Sequence, residues 1–134
     1  MSGLQSDNKA GKSLGSRQST GKLGEEAAAE RLIEEGYTLL HRNWRCRSGE
    51  LDIVARQGSV IVVVEVRART TGGRFGTALE SIDVRKQRQV RTTAEVYLQA
   101  NRLFGVPVRF DVIAITIDRN TSCITEFRHI REAF

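Results

Sequence analysis

Asp52 and Glu65 stand thirteen positions apart, one in each arm of the stretch Gly49-Glu50-Leu51-Asp52-Ile53-Val54-Ala55-Arg56-Gln57-Gly58-Ser59-Val60-Ile61-Val62-Val63-Val64-Glu65-Val66-Arg67-Ala68-Arg69. The stretch reads as a β-hairpin whose second arm is almost wholly apolar until Glu65 interrupts it. Alternation sends Ile61, Val63, Glu65 and Arg67 to one face and Val60, Val62, Val64 and Val66 to the other. Two greasy faces mark a central strand covered on both sides, where a carboxylate is costly unless something compensates it. A turn centred on Gln57-Gly58 sets Glu50 opposite Glu65 with Asp52 as its diagonal neighbour. A shift of two residues sets Asp52 directly opposite Glu65. Either register predicts Glu50, Asp52, Val54, Ile61, Val63, Glu65 and Arg67 on one side of the sheet. Cross-strand neighbours lie roughly 5 Å apart and diagonal ones roughly 7 Å. Two carboxylates so placed repel unless they share a proton or a divalent cation, and oxygen donors suit Mg2+ or Mn2+. The alternative is that both acids reach water near strand ends and pair with Arg67 or Arg69.

Two further residues can reach this pair. A helix expected from Gly24 or Glu25 to Glu35, ended by Gly36, buries Ala28, Ala29 and Leu32 and places Glu25 on their face. Glu25 is then either a third acid near the hairpin pair or a carboxylate that favours the helix N-terminus through the dipole. A second helix, Val84 to Ala100 with Asp83 as its cap, turns Val90, Ala94, Tyr97 and Leu98 inward. Lys86 stands at the start of that stripe and is the only lysine after residue 22. It is either a site residue or a side chain snorkelling at a helix end.

The remaining elements must hold these helices and the hairpin together. Tyr37 to Arg47 reads as an edge strand with neither side cleanly apolar. Trp44 in it suits packing, or a base or sugar contact. Thr70 to Gly76 is a polar, glycine-rich connection carrying Arg74, without the pattern of a phosphate-binding P-loop. A short helical turn spans Ala78 to Ile82. Val108 to Ile117 is a further strand, in which Asp111 suits a structural bond to Arg109 or to a backbone amide. Ser122 to Phe127 adds an edge strand.

With 134 residues the chain fits one domain, taken as 21–134 behind a polar tail, 1–20, expected to be disordered. The longest apolar run, Val60 to Val64, has five residues, so no membrane span is expected. The N-terminus lacks a hydrophobic signal segment, which makes the cytoplasm the expected compartment. His41, Cys46, Cys123 and His129 lack zinc-ligand spacing. The formal net charge is +5, of which the first 22 residues hold +3 (Lys9, Lys12, Arg17 and Lys22 against Asp7). The rest gathers locally as Arg42, Arg45 and Arg47; Arg67, Arg69 and Arg74; and Arg85, Lys86, Arg88 and Arg91. Such a rim attracts a phosphate backbone, or is a solvated basic surface.

The order helix–strand–hairpin–helix–strand, with GELD followed by VVVEVRAR, is similar to the PD-(D/E)XK restriction-endonuclease-like superfamily. More closely, Gly24-Glu25-Glu26-Ala27-Ala28, Arg42-Asn43-Trp44-Arg45, Gly49-Glu50-Leu51-Asp52, Glu65-Val66-Arg67-Ala68-Arg69, Phe75-Gly76 with Ala78, Lys86 and Arg109-Phe110-Asp111-Val112 resemble the YraN family of small bacterial proteins, over about residues 21 to 134. The resemblance implies an α/β fold with a restriction-endonuclease-like core, a central mixed β-sheet of about five strands flanked by helices. It makes Asp52, Glu65 and the carbonyl of Val66 the ligands of Mg2+ or Mn2+. Glu25 matches the helix acid that archaeal Holliday-junction resolvases use near the metal. Arg67 stands where the superfamily normally has lysine; arginine is a poor proton acceptor but can stabilise phosphate charge, and Lys86 is the alternative amine. The implied activity is metal-dependent phosphodiester hydrolysis on nucleic acid, with DNA, branched DNA in particular, favoured over RNA. Arg42, Arg45, Arg69, Arg74, Arg85, Arg88 and Arg91 would hold its backbone, and a homodimer would offer branched DNA a second surface. The rival is a non-catalytic nucleic-acid-binding protein that keeps the fold, or a protein-partner module with neither property.

Overall fold

The computed structural model describes residues 17–71 and 82–134 of the chain. The expected tail as far as residue 16, Arg74-Phe75-Gly76 and most of the turn from Ala78 lie outside them. The described elements are α1 (Arg17–Glu34), β1 (Thr38–Cys46), β2 (Gly49–Gln57), β3 (Val60–Thr70), α2 (Val84–Ala100), β4 (Val108–Ile117) and β5 (Ile124–Ile130). The strands form one mixed sheet in the order β1-β2-β3-β4-β5, so the valine-rich β3 is central. Its antiparallel neighbour β2 leads into it through a tight turn, whereas β4 pairs with it in parallel and needs a crossover, which contains α2. The α/β class and five-stranded mixed sheet flanked by helices are therefore as expected.

Two apolar layers sandwich the sheet. On one face Ala28, Ala29 and Leu32 of α1 pack on Ile53, Ala55, Val62, Val64 and Ile113. On the other, Val90, Ala94 and Tyr97 of α2 pack on Leu51, Val54, Ile61 and Val63. The helix α1 starts at Arg17, earlier than expected, and takes in residues expected in the tail. It stops at Gly36 (φ +93°), whose N–H donates to the carbonyl of Ile33 while that of Tyr37 donates to Leu32. Gly24 lets α1 approach β3 at backbone range: a Cβ there would stand 2.7 Å from the Cβ of Ala68. The strand β5 falls later than the expected Ser122 to Phe127.

The hairpin register differs from the first expectation. Gln57 pairs with Val60 and Ile53 with Val64, across a two-residue turn of Gly58 (φ +62°) and Ser59. This is the two-residue shift, and its continuation sets Asp52 rather than Glu50 opposite Glu65. The common-face expectation also requires correction. Ile53 packs in the α1 layer, but Leu51, two residues earlier, packs in the α2 layer with Val54. Strict alternation thus breaks at Asp52. The break is matched in β1: Asn43, which the flanking pairs Arg42–Ile53 and Trp44–Leu51 set across from Asp52, adopts φ +53°. One left-handed residue reverses the facing of the residues beyond it, and asparagine tolerates that conformation better than most side chains.

Asp111 is fully buried, not near solvent. Arg109 grips it through two bonds of 2.9 Å, His129 Nε2 lies 2.7 Å away, and the N–H of Glu132 donates to it at 3.0 Å. The same guanidinium reaches Gln57 and the Tyr37 hydroxyl. The expected structural bonds to Arg109 and to a backbone amide are both present, and they tie the hairpin turn, β4 and β5 to the end of α1.

Candidate functional site

The pairing of β2 with β3 ends at Ile53–Val64, and beyond it the two strands follow different partners. Glu50 and Leu51 stay paired with β1, while Glu65 to Thr70 stay paired with β4. The sheet therefore opens between them, and Asp52 fills the vertex. The N–H of Val66 donates to Asp52 Oδ2 at 2.9 Å. A strand N–H points within the sheet, so this carboxylate lies in the sheet's own plane and substitutes for a ladder carbonyl.

Glu65 approaches from the α2 side. It is 3 % exposed, among the few buried charged residues. Burial and then the charge of Asp52 push its carboxyl up to about 7, against the opposing pull of Lys86 and Arg67. Burial also raises Asp52, with Glu50 adding to it and the Val66 N–H, Lys86 and Arg67 working the other way. Both carboxyls are thus raised by burial and by a neighbouring acid, Glu65 by Asp52 and Asp52 by Glu50, as expected of carboxylates crowded together away from water. Lys86 offsets part of this: its Nζ lies 3.9 Å from Glu65 Oε1. Asp83 caps α2 by accepting the N–H of Lys86 at 2.9 Å, which fixes the first turn from which this side chain departs. Further along α2, Gln89 donates to the carbonyl of Ser48, and Thr93 bonds the Ser48 hydroxyl. These contacts bind α2 to the β1–β2 turn, at Gly49, where a Cβ would stand 2.9 Å from Gln89 Nε2.

Glu25 approaches from the α1 side. Its carboxyl is raised by burial and then by Asp52, while a hydrogen bond from the Asn43 side chain and the charge of Arg42 lower it. Asn43 is a site residue that reading the sequence misses. A signal for it exists: an asparagine inside a strand, among arginines, is a candidate for φ > 0. Glu50, exposed, pairs with Arg45 at 3.0 Å and adds negative charge at the rim.

Arg67 follows Glu65 on the same face, and its Nε is buried without a hydrogen-bond partner among the described residues. Arg85 and Arg88 stand exposed on the outer side of α2, and Arg42 and Arg45 are exposed on β1; Arg69 is half-buried and Arg74 lies outside the described residues. Arg91 is diverted from the site: its guanidinium lies 4.7 Å above the Phe110 ring and 5.7 Å from that of Phe134. Trp44 packs edge-on against Tyr97 at 5.1 Å, and the Tyr97 hydroxyl bonds His41 Nδ1 at 2.7 Å. Among the described residues no three of His, Cys, Asp and Glu group closely enough to hold a metal ion. The donor set at the vertex is two carboxylates and nearby backbone oxygen. No helix of the described residues is long and apolar enough to cross a membrane.

Known proteins are similar to this chain in sequence over most of its length. A protein of Moorella thermoacetica is 48 % identical over 103 residues, covering 77 % of this chain and 85 % of its own length. One of Stutzerimonas stutzeri is 46 % identical over 118 residues (87 % and 95 %), and one of Pelotomaculum thermopropionicum 46 % over 118 (88 % and 97 %). All three carry the description UPF0102 protein. The model of the Uncharacterised protein family UPF0102 matches residues 24–115, which span Glu25, Asp52, Glu65 and Lys86, and the chain belongs to that family, also called YraN.

Proposed function

We propose that the chain is a divalent-metal-dependent nuclease that hydrolyses phosphodiester bonds in nucleic acid, DNA before RNA and branched DNA among its forms. The observation that carries this reading is the meeting of Asp52 and Glu65 where β2 and β3 part, with Lys86 against Glu65. The likeness of the GELD and EVRAR segments to the PD-(D/E)XK superfamily supports the same reading.

The residues at the vertex fit a hard cation. They offer only oxygen, and Mg2+ is commonly held by one or two carboxylates with waters completing the shell. Asp52, Glu65 and the Val66 carbonyl would hold Mg2+ or Mn2+, which when bound polarises a phosphate and lowers the pKa of water. The chain's own groups do the rest. Asp52, anchored by the Val66 N–H, keeps its second oxygen free to bind. Lys86 holds Glu65 toward its ionised form and stands ready to stabilise charge developing on the phosphate. Arg67, whose buried Nε lacks an acceptor among the described residues, gains one when a phosphate oxygen enters. Glu25 and Asn43 brace the opposite side of Asp52 and can orient water there. Arg42, Arg45, Arg69, Arg85 and Arg88 would supply a backbone-holding rim, with no base-reading element among the described residues; Arg74, expected to join them, lies outside those residues.

A panel of branched, flap, single-stranded and duplex DNA and RNA, incubated with Mg2+ or Mn2+, tests the proposal. Turnover should appear in the wild type and vanish in both Asp52→Asn and Glu65→Gln. Cleavage that persists in either variant sinks it. One observation favours a second reading: the Lys86 ammonium already compensates Glu65, and Arg67 holds the superfamily's usual lysine position. A non-catalytic nucleic-acid-binding protein would then bind the same panel without turnover and without a divalent ion.

A further inference from the structure

The two edges of the sheet are built differently. On β1, a bulge between Leu39 and His41, the left-handed Asn43 and the exposed Arg42 and Arg45 spoil the edge for further pairing. Bulges and like charges are the usual protection of an exposed strand. The edge of β5 is free of these features from Glu126 to Ile130: the bulge in its register to β4 lies before this stretch, at Thr125, the charges on it are of mixed sign, it contains no left-handed residue, and no other described strand pairs with its outer side.

Its sequence is also self-complementary. Set two copies of β5 antiparallel about Phe127, and Glu126 of each copy falls opposite Arg128 of the other. Glu126 and Arg128 are exposed. Phe127 would meet its own mate on the α1 face, beside Ile124, which is 43 % exposed, and under Arg31, whose guanidinium lies 4.0 Å above the Phe127 ring. A groove of about 320 Å³ runs along this edge between α1 and β5, lined by Ala27, Arg31, Ile124 and Phe127 among others. A two-fold interface requires a surface that complements itself, and opposite charges across a strand pair add favourably where like charges oppose.

We propose that β5 is a dimerisation edge, on which a second copy of this chain adds its own β5 antiparallel about Phe127 to make one ten-stranded sheet. The order then runs β1-β2-β3-β4-β5 and back through the second copy, so the two Glu65-bearing β3 strands lie five strand spacings apart, roughly 24 Å across the sheet. A dyad perpendicular to the sheet keeps both sites on one face. The proposal stands on the edge geometry and not on nuclease activity.

Sedimentation velocity on the full chain across the micromolar range tests it, with circular dichroism confirming that each variant folds. The wild type should sediment as a dimer. Glu126→Lys alone, and Arg128→Glu alone, each place two like-charge pairs across the dyad and should weaken dimerisation about tenfold or more. The double exchange Glu126→Lys with Arg128→Glu should restore it. A wild type that stays monomeric overturns the proposal. So does a dimer indifferent to the single reversals, or a double exchange that fails to recover while folded.

Discussion

Asp52 takes the place of a backbone carbonyl in the β2–β3 ladder by accepting the N–H of Val66 at 2.9 Å. One carboxylate oxygen is therefore structural, and under the proposed function the other binds the cation. That division of labour separates two substitutions at the same position. Asp52→Asn can keep an oxygen toward Val66 and should cost less than about 1 kcal/mol of stability, yet abolish cation binding and turnover. Asp52→Ala orphans the Val66 amide and should cost about 1–3 kcal/mol besides. Denaturant unfolding read beside cleavage checks the pair. Equal stability loss in both variants would remove the structural role.

The paired acids predict a pH dependence of stability with a definite sign. Glu65 titrates near 7 in the fold against 4.5 as its reference. A raised folded pKa means that the native state binds more protons, so this contribution is full below the unfolded value and is lost as pH rises through about 7. Glu65→Gln should therefore gain stability over the wild type at pH 8, on the order of 2 kcal/mol, and little at pH 4. Mg2+ or Mn2+ should stabilise the wild type at pH 8 and leave Glu65→Gln unmoved. Thermal melts at both pH values, with and without the ion, read all four quantities. A variant that melts below the wild type at pH 8 contradicts the assignment.

Asp111 behaves oppositely. Burial alone would raise its carboxyl, but His129, Arg109 and the Glu132 N–H outweigh burial and hold it below the usual carboxylate range. Its contribution is present above its unfolded value near 3.8 and is lost as pH falls through the lower folded value. Asp111→Asn leaves Arg109 with a neutral partner in a buried place and should cost about 3–5 kcal/mol near neutral pH. It should also flatten the acid limb of the unfolding profile, which urea titrations at descending pH would reveal.

How much of this can be read from residues alone depends on whether the controlling signal is periodic. The central position of β3, its two greasy faces, the inward stripe of α2 with Lys86 at its head, and the cap at Asp83 all follow from spacing, and the structure places them so. The facing of Asp52 does not, because alternation breaks there, level with the left-handed Asn43 in the neighbouring strand, and periodicity within β2 has no access to that. The hairpin register is two-valued in the sequence for a related reason: the two-residue turn can be Gln57-Gly58 or Gly58-Ser59, and shifting it by one residue moves the whole ladder by two. Arg91 escapes spacing arguments because its aromatic partners, Phe110 and Phe134, arrive from β4 and the C-terminus.

The seat of α1 gives a prediction that tests whether Glu25 matters through position. Gly24 touches β3 so closely that an added Cβ would stand 2.7 Å from that of Ala68, below any tolerable contact. Gly24→Ala therefore lifts the middle of α1 from the sheet, with Glu25 next in line, and should cost about 1–3 kcal/mol as overpacking does. Alanine is the better helix former by roughly 1 kcal/mol, which offsets part of that loss. Ala68→Gly opens space for the new methyl, so the double variant should regain most of the stability. If Glu25 acts by its reach to Asp52, turnover on the cleavable substrate should fall in Gly24→Ala and recover in the double variant, tracking the melting temperature. Glu25→Gln, which leaves the seat intact, should lower turnover without a matching fall in stability. A Glu25→Gln protein with full turnover would assign the carboxylate to the helix alone.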